Sequence, residues 1–237
     1  MKNQTITIRK ISKQLNEIDS TDGGFWLPNI QRNFVWKEDQ TERLFDSLMR
    51  DYPIGTLLVW KTKSEIKHRT FVANYKNNGD YKNNSNFTHF YVPENNKCKL
   101  LVLDGQQRLQ SLFIGLCGSY NEKELYFNVL SGCKNTPEDI RFVFKFKKEA
   151  PDDTWIKLKE IVFNERTSKQ NERMVIKTIT CINLTEEQED IISDNISLIH
   201  NVFKDEERIV YQEFDSVDRP ELYSDDDVVE IFGSFEF

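Results

Sequence analysis

The chain has 237 residues, 38% of them apolar and 30% charged, with a formal net charge of −7. That length supports a substantial core, in one large domain or two small ones. The acidic balance excludes a chain that coats nucleic acid nonspecifically, which should be basic, but leaves room for a local basic groove or a metal–nucleotide complex. The 17 Phe point to a core filled by aromatic side chains. Cys98, Cys117, Cys133 and Cys181 form no CxxC pair, and His68, His89 and His200 complete no zinc pattern, so reduced thiols are expected. The N-terminus, MKNQTITIRKISKQL, has no apolar signal region, and no stretch approaches the ~18 apolar residues of a membrane span. The expectation is a cytoplasmic protein with no membrane partner.

In chain order, Ile6 to Ile18 carries Ile8, Ile11, Leu15 and Ile18 on one face and predicts a short amphipathic helix. DSTDGG (Asp19–Gly24) breaks it. FWLPNIQRNFVW is aromatic and extended, Pro28 disfavouring helix at Leu27. Glu38 to Arg50 predicts a helix with Leu44, Phe45, Leu48 and Met49 inward. Its acids Glu38, Asp39 and Glu42 fit a first helical turn better than a catalytic pair. DYPIG ends it, and TLLVWK (Thr56–Lys61) is a buried strand. NYKNNGDYKNNSN (Asn74–Asn86) is polar and Asn-rich and should be an exposed loop. FTHFYV and CKLLVLD flank PENN as a hairpin. LYFNV and RFVFKFK are further strands. In the second, Phe142, Phe144 and Phe146 alternate with Arg141, Val143 and Lys145, so that a core face backs a basic solvated one.

The C-terminal third changes character. TSKQNERMVIKTIT and LTEEQEDIISDNISLIHNVF predict helices, the second opened by Thr185 with Gln188 completing a capping box. RIVYQEF is strand-like. SDDDVVEIF starts a helix capped by Ser224, with acids in its first turn. No strong linker occurs, so the expected class is one α+β domain with a C-terminal helical lobe.

The most informative stretch is LVLDGQQRLQSLF (Leu101–Phe113), a core strand joined to a core helix by polar residues. Helix capping explains part of it: Asp104 suits an N-cap, Gln107 the third position of a capping box, and Gly105 a tight entry. Location suggests more. A strand feeding directly into a helix presents free N–H groups and the positive end of the macrodipole. Gly105 lets a ligand approach the backbone, Arg108 offers a planar fork for phosphate, and Gln106 and Gln107 can hydrogen-bond phosphate, ribose or base. Asp104 beside a phosphate favours a Mg²⁺–nucleotide over a bare anion. The chain has no GxxxxGK[ST] loop. LPNIQRNFVWKEDQ poses the same puzzle, with Gln31 and Arg32 inside an aromatic extended segment. Arg32 either stacks on Trp36 or Phe34 or adds a second phosphate-binding arginine that converges on Arg108.

LPNIQRNFVWKEDQTERLFDSLMRDYPIGTLLVWK followed by LVLDGQQRLQSLF resembles the N-terminal domain of GmrSD-type restriction endonucleases, of the ParB/sulfiredoxin-like superfamily, over residues 5–232. The resemblance implies a single domain over 1–237, a ParB/sulfiredoxin-like mixed sheet with flanking helices (core about 20–165) and a helical lobe (about 166–237). It implies that the DGQQR motif, Asp104 to Arg108, binds and hydrolyses a nucleoside triphosphate with Mg²⁺, and that Gln31 and Arg32 are the family's Gln-Arg motif. In those terms Asp104, Gln107 and Arg108 are the catalytic candidates. Gln31, Arg32, Gly105, Gln106 and Arg108 bind the nucleotide, and Asp104 holds the metal. The implied partner is a separate HNH nuclease domain or subunit, with DNA met indirectly; self-association is left open. Two departures stand out. GSFEF follows where the family continues into an Arg-x-Asn-rich motif, which implies truncation, a split system or a remnant, and no HNH pattern occurs. Gln110 replaces the family's more frequent Thr, for which a tuning effect is expected. A non-hydrolysing nucleotide switch, a ParB-like DNA-binding module and an inactive remnant are the alternatives.

Overall fold

A computed structural model describes residues 2–18, 23–29, 33–77, 97–132 and 140–233. The protein is α+β. A six-stranded mixed sheet has the order β1-β11-β3-β6-β2-β4, formed by β1 (Lys2–Ile6), β11 (Ile209–Asp215), β3 (Leu57–Thr62), β6 (Lys99–Asp104), β2 (Phe25–Pro28) and β4 (His68–Arg69). β6 is central, antiparallel to β3 and parallel to β2. A three-stranded sheet, β10-β8-β9, comprises β8 (Glu124–Asn128), β9 (Phe144–Lys147) and β10 (Trp155–Lys157), and β5 (Asn74–Tyr75) pairs with β7 (Ser119–Tyr120). FTHFYV lies outside the described residues, and so does the hairpin expected of it.

The helices are α1 (Ile8–Gln14), α2 (Glu38–Met49), α3 (Gln106–Cys117), α4 (Leu158–Val162), α5 (Ser168–Thr178), α6 (Glu186–His200) and α7 (Asp225–Gly233). None is long and apolar enough to cross a membrane. One core cluster joins Val59, Val102 and Leu112 to Phe45, Phe127 and Phe203. A smaller one groups Trp26, Trp60 and Leu101 with Val228 of α7. Thr185 caps α6 with the expected capping box through Gln188, and the Ser224 hydroxyl accepts from the Asp227 N–H at the start of α7.

The first expected helix is corrected. Ile6 ends a strand, Thr7 caps α1 by accepting from Lys10 N, and Asn16 leaves the helix at a φ of 64°. The reason is tertiary: residues 2–6 find an antiparallel partner in β11, and sheet pairing overrides a weak local helical pattern. The strand expected from Arg141 is also shorter, beginning at Phe144. Phe142, Phe144 and Phe146 are all buried, as the alternation predicts. The preceding amides are taken by a carboxylate of α2. Asp46 Oδ1 accepts from Arg141 N at 3.1 Å and from Phe142 N at 2.7 Å. One turn earlier Glu42 accepts from Phe146 N at 3.0 Å and pairs with Lys145 at 2.7 Å. Two buried acids four residues apart thus satisfy two amides just ahead of β9 and one within it, where unpaired N–H groups would otherwise cost free energy.

β11, from the part of the chain assigned to the helical lobe, lies between β1 and β3 in the main sheet. It is reached through α6 and a π-helical turn at Asn201–Asp205. At the end of α6 His200 is 5% exposed, and its Nε2 lies 2.8 Å from the Asn171 amide nitrogen. Burial, reinforced by cationic Lys204, pushes the imidazole below its ordinary value of 6.5, and burial acts on His68 in the same direction. The unfolded chain therefore takes up these protons first. The stabilisation is complete above pH 6.5 and drains away as pH falls through the folded-state values. Urea midpoints should drop between pH 7.5 and 5.5, and drop less in His200→Gln; equal drops would remove His200 from the account.

Candidate functional site

The apolar run of β6 ends at Asp104, opposite Leu58, where the register with β3 shifts between Leu58 and Val59. Gly105 then turns the chain with φ 88° and ψ 9°, left-handed values, directly into α3. An added Cβ would overlap Leu57 Cδ2, so the corner needs glycine for its dihedrals and for its space. Leu109 N donates to Gly105 O at 3.1 Å, the first bond of the helical ladder. The amides of Gln106, Gln107 and Arg108 lie ahead of it, at the positive end of a twelve-residue helix.

Capping is corrected in detail. The N-cap is Gly105, with no side-chain cap bond, so Asp104 is not the cap and Gln107 sits one position earlier than a capping box requires. Asp104 instead keeps 65% of its side chain exposed, with Oδ2 3.5 Å from Arg108 Nη2. Arg108 turns back over the corner. Its guanidinium donates to Ile54 O and, at 3.3 Å, to Thr56 O. Gly55, at φ 81°, makes that approach possible, since a Cβ there would sit 2.6 Å from Arg108 Nη1. The guanidinium thus joins three pieces: the carboxylate, the 54–56 loop and the mouth of α3.

The glutamines divide. Gln107 is buried, and both ends of its amide bind backbone: Oε1 accepts from Val35 N and Nε2 donates to Asn33 O, each at 3.0 Å. Gln110 does the same to one residue, accepting from Val72 N at 3.0 Å and donating to Val72 O at 2.6 Å. Asn16 clamps Phe71 likewise. A primary amide presents one acceptor and one donor edge, so it substitutes for a strand neighbour where the chain has none. Gln106 is half-buried and lines, with Arg69, Phe34 and Gln110, a cavity of only about 20 Å³. That space holds about one water and excludes a phosphate or base.

Among the sequence candidates, Asp104, Gly105, Gln106, Gln107 and Arg108 are brought together at this corner. Gln31 and Arg32 lie outside the described residues, though their flanks are described. Asn29 N donates to Lys67 O at 3.0 Å, and Asn33 is held by Gln107 and by Arg69, whose Nη1 donates to Asn33 Oδ1 at 3.0 Å. Sequence reasoning missed Arg69, buried on β4 beside Leu27. Nothing in KHRTF marks it, because its partner stands on a different segment.

Comparison with known proteins gives two findings. Residues 11–236 match the family described as "GmrSD restriction endonuclease, N-terminal domain". Over 132 residues the chain is 33% identical to an uncharacterized protein of Methanocaldococcus jannaschii, the match covering 56% of this chain and 20% of that protein. The matched stretch therefore spans about a fifth of that relative's length.

Proposed function

This chain belongs to the GmrSD restriction endonuclease N-terminal domain family, and from that premise we propose that it is the nucleotide-binding regulatory part of a modification-dependent anti-phage restriction system, on a ParB/sulfiredoxin-like scaffold. The observation that carries the reading is the corner at Gly105, where an open helix N-terminus, an arginine fork and an exposed carboxylate meet. Phosphates of a nucleoside triphosphate lie against the amides of Gln106 to Arg108, with Arg108 neutralising charge; the second phosphate-binding arginine expected from the sequence, Arg32, lies outside the described residues. One exposed carboxylate with phosphate oxygens and water is the kind of donor set Mg²⁺ takes. Asp104 is the residue that would hold it, and the ion would supply charge neutralisation. The nucleotide state then biases contact with an HNH nuclease domain or subunit, and DNA is met through that partner.

A second reading, a switch without turnover, is favoured by Gln107. Both ends of its amide already bind Asn33 and Val35. To orient an attacking water, as hydrolysis would ask of it, Gln107 has only its second N–H and second lone pair left, in the orientation those two bonds fix.

Calorimetry with nucleoside triphosphates, with and without Mg²⁺, tests the reading. Arg108→Ala is a compound probe, since it also frees the Ile54 and Thr56 carbonyls. Asp104→Asn is cleaner, because the side chain is mostly exposed. It should erase the Mg²⁺-dependent gain in affinity, about tenfold or more for a lost charged ligand, while leaving the urea midpoint within the small range of surface changes. An unchanged Mg²⁺ gain removes Asp104 from the metal, and no binding of any triphosphate by the folded chain removes the nucleotide.

A further inference from the structure

Arg108 has a second neighbourhood. Besides facing Asp104, it lines a groove of about 400 Å³ between the outer face of α2 and the 52–54 segment, together with Trp36, Arg43, Ser47, Tyr52 and Ile54. That volume is in the range of small-molecule clefts. The groove combines aromatic surface with a donor-rich edge. Tyr52 is 50% exposed but not loose. Arg50 lies over its ring, 4.6 Å from the centroid, and donates to its hydroxyl at 2.6 Å. Trp36 is anchored through its carbonyl, which accepts from Tyr120 OH at 3.1 Å. The ring of Tyr52 is thereby held in place before any ligand arrives.

Arg43 supplies the edge. Its guanidinium has no hydrogen-bond or ion-pair partner among the described residues, and its carbonyl accepts from Ser47 Oγ at 2.8 Å. A guanidinium offers a fork of donors and no acceptor. Two adjacent acceptors on one rigid edge match such a fork, and among the bases guanine presents them as O6 and N7, whereas adenine presents one acceptor beside an amino donor. The groove and the Gly105 corner share Arg108, so a ligand with an anionic end and a planar end suits both.

Resting on the nucleotide reading above, we propose that this groove takes the base of the bound nucleotide, stacked against Tyr52 and read by Arg43, and that it prefers a 6-oxopurine over a 6-aminopurine. Arg43 is then a specificity residue on the exposed side of α2, distant in sequence from the DGQQR motif.

The experiment is calorimetry on the whole chain with GTP, ITP, ATP and inorganic triphosphate, each with Mg²⁺. GTP and ITP, which share O6 and N7, should bind alike and about tenfold or more tightly than ATP. Arg43→Gln should reverse that order, since a primary amide matches the N6 and N7 of adenine, and should leave inorganic triphosphate unaffected. Tyr52→Ala should weaken GTP and ATP together by about tenfold, the loss expected of a stacking platform. Nucleotides that bind without base preference, or a preference indifferent to Arg43→Gln, overturn the groove assignment and leave the phosphate site standing. Failure of inorganic triphosphate and every nucleotide to bind overturns both.

Discussion

Gly105→Ala should cost about 2–5 kcal/mol of folding stability, read from urea midpoints. Two terms add. A residue with a Cβ pays about 1–2 kcal/mol for left-handed dihedrals, and Gly105 holds φ 88°. The new methyl also overlaps Leu57, which is 1% exposed and has no open side to move into; forcing a group into a packed site costs about 1–3 kcal/mol. Gly55→Ala makes an instructive companion. Its φ of 81° carries the same backbone penalty, but the atom it meets is the end of the Arg108 side chain, which can swing away. Its cost should therefore be the backbone penalty of about 1–2 kcal/mol plus about 1 kcal/mol as Arg108 gives up the Ile54 and Thr56 carbonyls, the low end of the range for Gly105→Ala. If Gly105→Ala loses less than Gly55→Ala, the corner is more plastic than its geometry states.

Gln107→Leu should cost about 1–3 kcal/mol, because two backbone groups lose their partner together, and the effect should be local. The Asn33 carbonyl and the Val35 amide are both held by this one side chain. Hydrogen exchange at Val35 should accelerate tenfold or more, while Val72, held by Gln110, keeps its protection. Gln107→Glu keeps an acceptor for Val35 but turns a carboxylate oxygen toward the Asn33 carbonyl, so it should not rescue the variant. Equal exchange at Val35 in all three proteins would mean that the segment is held by other contacts.

Much of this fold was legible because its signals are local. Leu109, Leu112 and Leu116 recur at helical spacing after a strand-like run, and the seam falls where that change of period places it. Thr185 and Gln188 announce α6 within four residues. Apart from the cap at Asp104, the failures involve partners far along the chain. Asp104 has the composition of a cap, but the left-handed turn moves that position to Gly105. Gln107 has the composition of a capping-box member, but its amide meets residues seventy-two and seventy-four positions away. Glu42 and Asp46 fit an ordinary helical surface pattern, yet they bind the backbone of a segment roughly a hundred residues later. The candidate site was legible as a place, from the acid, the glycine and the arginine. Its division of labour, in which Gln107 holds a segment while Arg108 faces both a loop and a groove, depends on contacts that no local pattern encodes.

The position of β11 carries a consequence for how the chain comes into being on the ribosome. Among the described residues β1 pairs with no strand but β11, and β11 also covers the outer edge of β3. Lys2 therefore waits for Glu213 before it can pair. Until Ile209–Asp215 emerges, the nascent chain holds two strands with open ladders, β1 and β3, each a template for the wrong neighbour. Pairings this distant are slow to form and leave such edges unprotected for longer. A chain released before residue 209 should therefore aggregate even though it contains the whole DGQQR corner, and the last third of the sequence acts as the closing stave that keeps the first strand from finding another molecule.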